Sequence, residues 1–113
     1  MELFCNDFGT YAVLQKSGSL SLDNLKEFED LLNQNLGIPK NVIVDLTETL
    51  FIDSSVLGLI ILFFSKFERN NKNLILANPN DKISQMLDFT GASRRIKIFK
   101  SVDESVKYIQ GNK

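Results

Sequence analysis

Hydrophobic residues follow two different spacings along the first third of the chain. Two short apolar segments, residues 3–8 and 11–15, are separated by a glycine and predict a β-hairpin. Between Leu22 and Leu36, apolar side chains recur at steps of three and four residues, which is typical of an amphipathic helix. Ser21 is the predicted N-cap of that helix and Gly37 its predicted end.

The remaining segments alternate between strand and helix patterns. Residues 42–44 and 74–77 are apolar runs without polar interruption, as expected of strands buried on both faces, and the first of them should be central. Residues 54–69 form the predicted helix between them, capped by Asp53, and residues 46–52 are interpreted as a connection. The pattern then predicts, in order, a short helix over 83–90 that Gly91 ends in a left-handed cap, an outer strand over 96–99, and a last helix capped by Ser101.

This order of elements predicts an α/β fold. Strands alternating with helices favour a mixed, mostly parallel β-sheet of about five strands, connected by about four crossover helices. The 113 residues are 43% hydrophobic and 24% charged, which is ordinary for one globular unit. We therefore expect a single domain over residues 1–113.

Charge and hydropathy argue against two classes of ligand. The formal net charge is -1, and no basic run is longer than Arg94-Arg95, so the broad positive surface that nucleic acids require is not expected. The longest apolar run, residues 56–64, is far shorter than the roughly 20 residues that span a bilayer. We expect a buried helix there, with no membrane insertion.

The chain contains no histidine and one cysteine, Cys5. The lack of histidine removes Ser-His-Asp and Cys-His catalysis and the commonest general base, so we expect no enzyme, no metal site and no cofactor. Cys5 lies in an apolar segment and is predicted to be a structural thiol in a reducing compartment. The N-terminal segment is acidic rather than basic and lacks a cleavage signal, which favours the cytoplasm.

Asp53, Ser54 and Ser55 are the candidate functional residues. They place an acid and two hydroxyls at the first turn of a helix that follows a predicted parallel strand, where α/β sheets locate their sites. Helix starts also prefer these residue types for capping alone. The local pattern leaves both interpretations open.

A wider resemblance favours the functional one. Residues 42–46 (VIVDL), 51–55 (FIDSS) and 57–58 (LG) resemble the core motif of the STAS domain, the family of bacterial anti-sigma factor antagonists. The resemblance continues through residues 74–79, 87–91 and 98–106, and so covers roughly the whole chain.

The resemblance implies a phosphorylation switch. In such antagonists the hydroxyl directly after the motif's aspartate is phosphorylated by a partner that is both anti-sigma factor and serine kinase, and a serine phosphatase reverses the reaction. By position, the acceptor here is Ser54. The unphosphorylated protein would bind the anti-sigma factor and free the sigma factor, and the phosphorylated protein would release it.

Val56 and Ser55, which follow the aspartate, qualify this expectation. Val56 stands where many family members have glycine, so we expect a more crowded and more apolar approach to Ser54. This favours an alternative, in which the domain is never phosphorylated and serves as a scaffold or accessory subunit of a larger assembly, for example in lipid transport. Ser55 is expected to support the helix cap and is retained as a secondary acceptor.

The helix that Asp53 begins also carries apolar residues that its core face does not require. At 100° per residue, the predicted core stripe consists of Leu57, Ile60, Ile61, Phe64 and Phe67. Leu59 and Leu62 fall outside it, so they are either covered by neighbouring elements or form an exposed patch that docks a partner. The predicted partner-binding residues are Asp53, Ser54, Ser55, Val56, Leu59 and Leu62.

Overall fold

The computed structural model describes residues 3–38 and 40–111. The two ends of the predicted 1–113 domain therefore lie outside the described residues. A hairpin begins the fold, because β1 (Leu3–Asp7) pairs antiparallel with β2 (Tyr11–Lys16). This confirms the hairpin that the two apolar segments predicted.

β4 (Asn41–Asp45), β6 (Leu74–Ala77) and β7 (Lys97–Phe99) extend the hairpin into a main sheet of five strands, in the order β1-β2-β4-β6-β7. Every pairing except that of the hairpin is parallel, and β4 lies at the centre, as predicted. The two apolar runs form β4 and β6, which lie in the interior of the sheet, because each has a neighbouring strand on both edges and helices on its faces.

A second, two-stranded sheet lies in segments that the sequence analysis interpreted as a turn and a connection. β3 (Gly18–Leu20) pairs in parallel with β5 (Thr49–Ile52). The Gly18 N–H donates to the Glu48 carbonyl (3.0 Å), and the Thr49 hydroxyl donates to the Lys16 carbonyl (2.6 Å), so the small sheet is hydrogen-bonded to the end of β2. The interpretation of residues 46–52 as a connection without a strand is therefore wrong.

Four α-helices connect the strands. Their bounds are α1 (Leu25–Leu36), which follows a 3-10 turn (Leu22–Asn24), α2 (Ser54–Arg69), α3 (Asp81–Thr90) and α4 (Val102–Gly111). Gly91 ends α3 with φ 83°, a left-handed conformation that glycine adopts without strain, as predicted. The Ser101 hydroxyl accepts the Glu104 N–H (3.0 Å) at the start of α4, which confirms the predicted cap.

The five-stranded sheet separates two cores of unequal size. The larger core packs α1, α2 and α3 on one face, where Phe28, Phe63 and Phe67 are fully buried. The smaller core lies on the other face, where α4 packs against β4, β6 and β7. The fold is thus the mixed, mostly parallel α/β architecture that the sequence predicts.

The edge strand β1 departs from expectation. Leu3 is its one buried residue, whereas Phe4 and Cys5 are exposed. The prediction of a structural, packed thiol at Cys5 is wrong, since an edge strand has too few neighbours to bury both of its faces. Within the described ranges, no helix combines the length and apolar character needed to cross a membrane.

Candidate functional site

Asp53 organises the start of α2 through three hydrogen bonds. Its Oδ1 accepts the Val56 N–H (3.0 Å) and the Ser55 hydroxyl (2.6 Å), which is the geometry of an N-cap. Its Oδ2 accepts the Leu22 N–H (2.9 Å) from the 3-10 turn before α1. One carboxylate therefore fixes the first turn of α2 and connects it to a segment 31 residues earlier.

These bonds keep the carboxylate charged. The Ser55 hydroxyl contributes most to lowering the pKa of Asp53 below its usual value, followed by the Val56 N–H, and the Leu22 N–H adds to the effect. Partial desolvation opposes the shift without reversing it. Asp53 is consequently a fixed negative charge at neutral pH.

The two serines that follow have different environments. Ser54 occupies the first helical position and is exposed, and its hydroxyl makes no hydrogen bond to any part of the chain that the structure describes. Ser55 is half-buried, and its hydroxyl is engaged by Asp53. The structure brings the acid and both hydroxyls together, and leaves the Ser54 hydroxyl accessible.

This arrangement suits an acceptor better than a nucleophile. Both Asp53 oxygens are turned toward their three donors, so the carboxylate does not accept the Ser54 proton as a general base would. Among residues 3–38 and 40–111, no three side chains of His, Cys, Asp or Glu cluster closely enough to hold a metal ion. An exposed hydroxyl at a helix N-terminus is well placed to carry an anion, because the helix dipole favours negative charge there.

Val56 does not have the position that the sequence analysis gave it. Its side chain is fully buried in the larger core, where it belongs to the inward face of α2. It therefore neither crowds the approach to Ser54 nor offers surface to a partner in this structure. The expected crowding is wrong because the third helical position points inward, whereas the first points to solvent.

The core-facing side of α2 is rotated relative to the predicted stripe. Phe63, which was not predicted to face inward, is fully buried, whereas Ile61 and Phe64 are only half-buried. Leu62 is 47% exposed, and Leu59 is half-buried against the larger core. Of the two surplus leucines, Leu62 is available on the surface and Leu59 is largely covered.

The exposed side of α2 has one feature between Ser54 and Leu62. Gly58 is exposed one turn after Ser54, and a Cβ atom built on it would meet nothing within 4 Å. Ser54, Gly58 and Leu62 are four residues apart in succession and so lie along one side of the helix. This exposed side, which we call the Ser54 face, therefore has no side chain beyond Cα beside the hydroxyl and an apolar side chain at its far end.

Exposed apolar residues around the site were missed in the sequence. Leu22 is 66% exposed, Leu50 68% and Phe51 52%. Leu22 is hydrogen-bonded to Asp53, and Phe51 precedes Asp53 by two residues, so both lie near Ser54. Leu50 and Phe51 are adjacent within the four-residue β5, so no alternation in the sequence marked them as exposed. A groove of about 300 Å³ continues from there, lined by Leu50, Phe51, Ile52, Lys82, Ile83 and Met86.

Comparison with known proteins agrees with this geometry. The model of the STAS domain family matches residues 7–105, and this span includes the complete site. The chain belongs to the STAS domain family. The family resemblance predicted from the sequence is thereby confirmed.

Individual relatives extend the comparison. A candidate anti-sigma factor antagonist of Thermotoga neapolitana is 25% identical over 84 residues, which cover 74% of this chain and 72% of that protein. The crystal structure of a candidate antagonist from Thermotoga maritima superposes with a TM-score of 0.87 at 21% identity, covering 96% of this chain and 94% of that one.

SpoIIAA, an anti-sigma factor antagonist from Bacillus, is also similar in structure. Its unphosphorylated form gives a TM-score of 0.80 at 17% identity, covering 97% of this chain and 99% of SpoIIAA. Its phosphorylated form gives a TM-score of 0.76 at the same 17% identity, covering 96% and 99%. At this level of identity, the structural matches show the STAS fold.

Proposed function

We propose that this STAS protein is an anti-sigma factor antagonist that is switched by phosphorylation of Ser54. Unphosphorylated, it binds an anti-sigma factor that is also a serine kinase, and a sigma factor is freed for transcription. Phosphorylated, it releases that partner until a serine phosphatase restores the hydroxyl. It acts by binding, in the cytoplasm, and performs no catalysis of its own.

The observation that carries this proposal is the difference between the two serines. The exposed Ser54 hydroxyl is accessible to a kinase, whereas the Ser55 hydroxyl is held by Asp53. Ser55 therefore remains a secondary acceptor, since its modification requires that bond to break. The antagonists of Thermotoga and the two forms of SpoIIAA support the same role by relationship.

The charge of the site explains how a phosphate would end binding without unfolding the domain. A phosphoserine adds about -1.5 to -2 charge, and the N-terminus of α2 tolerates an anion. Because Asp53 is already ionised, the phosphate doubles the negative charge on one small surface. A partner that fits a neutral hydroxyl must then desolvate two adjacent anions, which is unfavourable.

The apolar residues around Ser54 supply the contact area for the partner. Leu62 lies on the Ser54 face, Leu22 is hydrogen-bonded to Asp53, and Leu50 and Phe51 precede Asp53 in β5. Exposed apolar side chains concentrated beside one charged site are typical of a docking surface. We assign partner contact to Asp53, Ser54 and these four residues, with Leu59 and Ser55 contributing at the margin.

The first test is modification by the cognate kinase and ATP. The wild-type protein should gain one phosphoryl group by mass spectrometry, Ser54→Ala should gain none, and Ser55→Ala should still be modified. Labelling that persists in Ser54→Ala but disappears in Ser55→Ala would move the acceptor by one residue. No labelling of any form would favour the scaffold alternative.

The second test is binding of the unphosphorylated form. Ser54→Asp carries less charge than a phosphate, so it should weaken the complex by a measurable fraction of the roughly 2 to 5 kcal/mol associated with disturbed interfacial charge. Isothermal calorimetry against the anti-sigma factor measures the difference, with Ser54→Asn as the neutral control. Equal affinities of the two variants would contradict the switch.

A further inference from the structure

The five-stranded sheet ends at β1, and no other described strand covers the outer edge of β1. The ladder between β1 and β2 is regular from Leu3 to Asp7, without a bulge. Natural edge strands are commonly protected by a bulge, a proline or a charged side chain. β1 has no bulge and no proline, and its one charged residue, Asp7, lies at the end of the strand and is paired with Lys40.

The backbone of β1 directs alternate residues toward β2 and away from it. The Phe8 N–H donates to the Tyr11 carbonyl at 2.9 Å, which identifies a hydrogen-bonded pair of the hairpin. Because hydrogen-bonded and non-hydrogen-bonded pairs alternate in an antiparallel ladder, every second residue before Phe8 points its N–H and C=O outward. The outward residues are Leu3, Cys5 and Asp7.

The side chains along this edge are apolar and exposed. Phe4 is 59% exposed and Phe8 is 55% exposed, on the sheet face where α4 packs against β4, β6 and β7. Phe8 stacks on Tyr11 with ring centroids 5.1 Å apart, so part of an aromatic surface is already formed. Cys5 is exposed on the opposite face.

We propose that this edge pairs with the same edge of a second copy of the chain. The two β1 strands would run antiparallel about a twofold axis through Cys5, joining two five-stranded sheets into one of ten strands. In that register the outward donors and acceptors of each strand meet those of the other. Leu3 faces the counterpart of Asp7, so no like charges are opposed.

The side chains also fit this register. Phe4 lies diagonal to its own counterpart and to that of Phe8, within the reach of aromatic side chains across paired strands. The four rings would cover one another where each is now exposed. A five-residue strand buries much less than the roughly 800 Å² per partner of a stable complex, so the dimer is weak and depends on concentration.

Sedimentation equilibrium of the full chain tests the proposal, from about 10 µM to about 1 mM, the range over which weak complexes dissociate. The average mass should rise from 12.8 kDa toward twice that value. Phe4→Lys should hold it at 12.8 kDa, whereas Phe89→Lys, the same change at a 94% exposed position on α3, should still dimerise. Urea unfolding confirms that both variants are folded.

Oxidative crosslinking tests the register. Opposed residues of a hydrogen-bonded antiparallel pair have Cα atoms about 5.5 Å apart, within the range that a disulfide bridges. A copper(II) reagent that takes one electron from each of two thiols, with release of both protons, should therefore join Cys5 to its counterpart. Phe4→Lys leaves Cys5 exposed and should reduce the crosslinking rate about tenfold or more.

Two results would overturn the proposal. One is a mass of 12.8 kDa at every concentration, which would leave the edge to a strand from another protein. The other is a dimer that Phe89→Lys dissociates and Phe4→Lys does not, because association would then occur through α3. Neither result bears on the switch at Ser54, which modification and calorimetry test separately.

Discussion

At the scale of single residues, the site depends on how two adjacent serines divide their roles. Ser55 donates to the carboxylate that caps α2, and Ser54 makes no such bond among the described residues. The residue types alone could not separate them, because both occur at helix starts. The direction in which each side chain points separates them, and it depends on the cap geometry of Asp53.

This division predicts different effects on stability. Ser55→Ala removes the 2.6 Å hydrogen bond to Asp53 and should lower the free energy of unfolding by about 1 kcal/mol. Ser54→Ala should change it by less than about 0.5 kcal/mol, because it alters an exposed side chain. Urea unfolding at pH 7 compares the two. Equal losses would contradict the assignment of the cap to Ser55.

The acid limb of the stability profile should report two carboxylates. Hydrogen bonding, chiefly from Ser55 and Lys40, holds the pKa values of Asp53 and Asp7 below the ordinary 3.8. A lowered folded-state pKa contributes stability that is complete above the unfolded value and is lost as pH falls through the folded one.

Wild type should therefore lose stability more steeply below about pH 4 than Asp7→Asn/Asp53→Asn. The double variant should be less stable at pH 7, and the difference should shrink as pH falls. Urea midpoints between pH 7 and pH 2 measure both curves. Parallel curves would show that these bonds do not stabilise the folded state.

At the scale of elements, the sequence predicted helices and long strands correctly and missed the short pairing of β3 with β5. Strands of three and four residues are too short to show a periodicity, and Gly18 adopts φ 78°, so its neighbourhood has the composition of a turn. What makes them strands is their contact with each other, 31 residues apart at Gly18 and Thr49.

The end of α1 gives a similar lesson. Gly37 ends the helix as predicted, but with φ -75° rather than in a left-handed cap. The Lys72 ammonium, from the turn before β6, donates to the carbonyls of Asn35, Leu36 and Ile38 at 2.9, 2.6 and 2.7 Å. A cap provided by a side chain 34 to 37 residues away has no local signature.

The orientation of α2 could not be settled from its sequence because apolar residues occur on nearly all of its sides. The structure buries Phe63 and exposes Leu62. Leu62→Ser should change stability by less than about 0.5 kcal/mol and weaken partner binding, whereas Leu59→Ser should cost more stability because Leu59 packs on the core.

Phe63→Ser is the matched contrast. Replacing a fully buried ring should lower the free energy of unfolding by about 3 to 5 kcal/mol, enough to unfold a marginal domain. Denaturant midpoints and calorimetry distinguish the three variants. A stable Phe63→Ser would mean that the helix is rotated differently.

At the scale of the whole molecule, the predicted alternation of strands and helices fixed the parallel order around β4. Three crossover helices, α1, α2 and α3, lie on the face of the larger core, and α4 alone lies on the other. The carboxyl end of the central strand leads through β5 into α2. The topology therefore places the Ser54 face at the end of the sheet where the parallel strands finish. The sequence could predict this placement, because the placement depends on the order of strands and helices along the chain and not on particular side-chain contacts.

Gly58 implies a compromise between a rigid helix and an open surface. A glycine within an exposed helix costs about 0.5 to 1 kcal/mol relative to alanine, and nothing within 4 Å of this one forbids a methyl group. Gly58→Ala should therefore raise the denaturant midpoint. It should also weaken partner binding, since the added methyl occupies the open surface beside Ser54. A variant that is more stable and binds its partner equally well would show that the open surface at Gly58 does not contribute to binding. A variant that is more stable but binds its partner less tightly would mean that this protein gives up some folding stability so that the backbone of a partner can approach Ser54 closely.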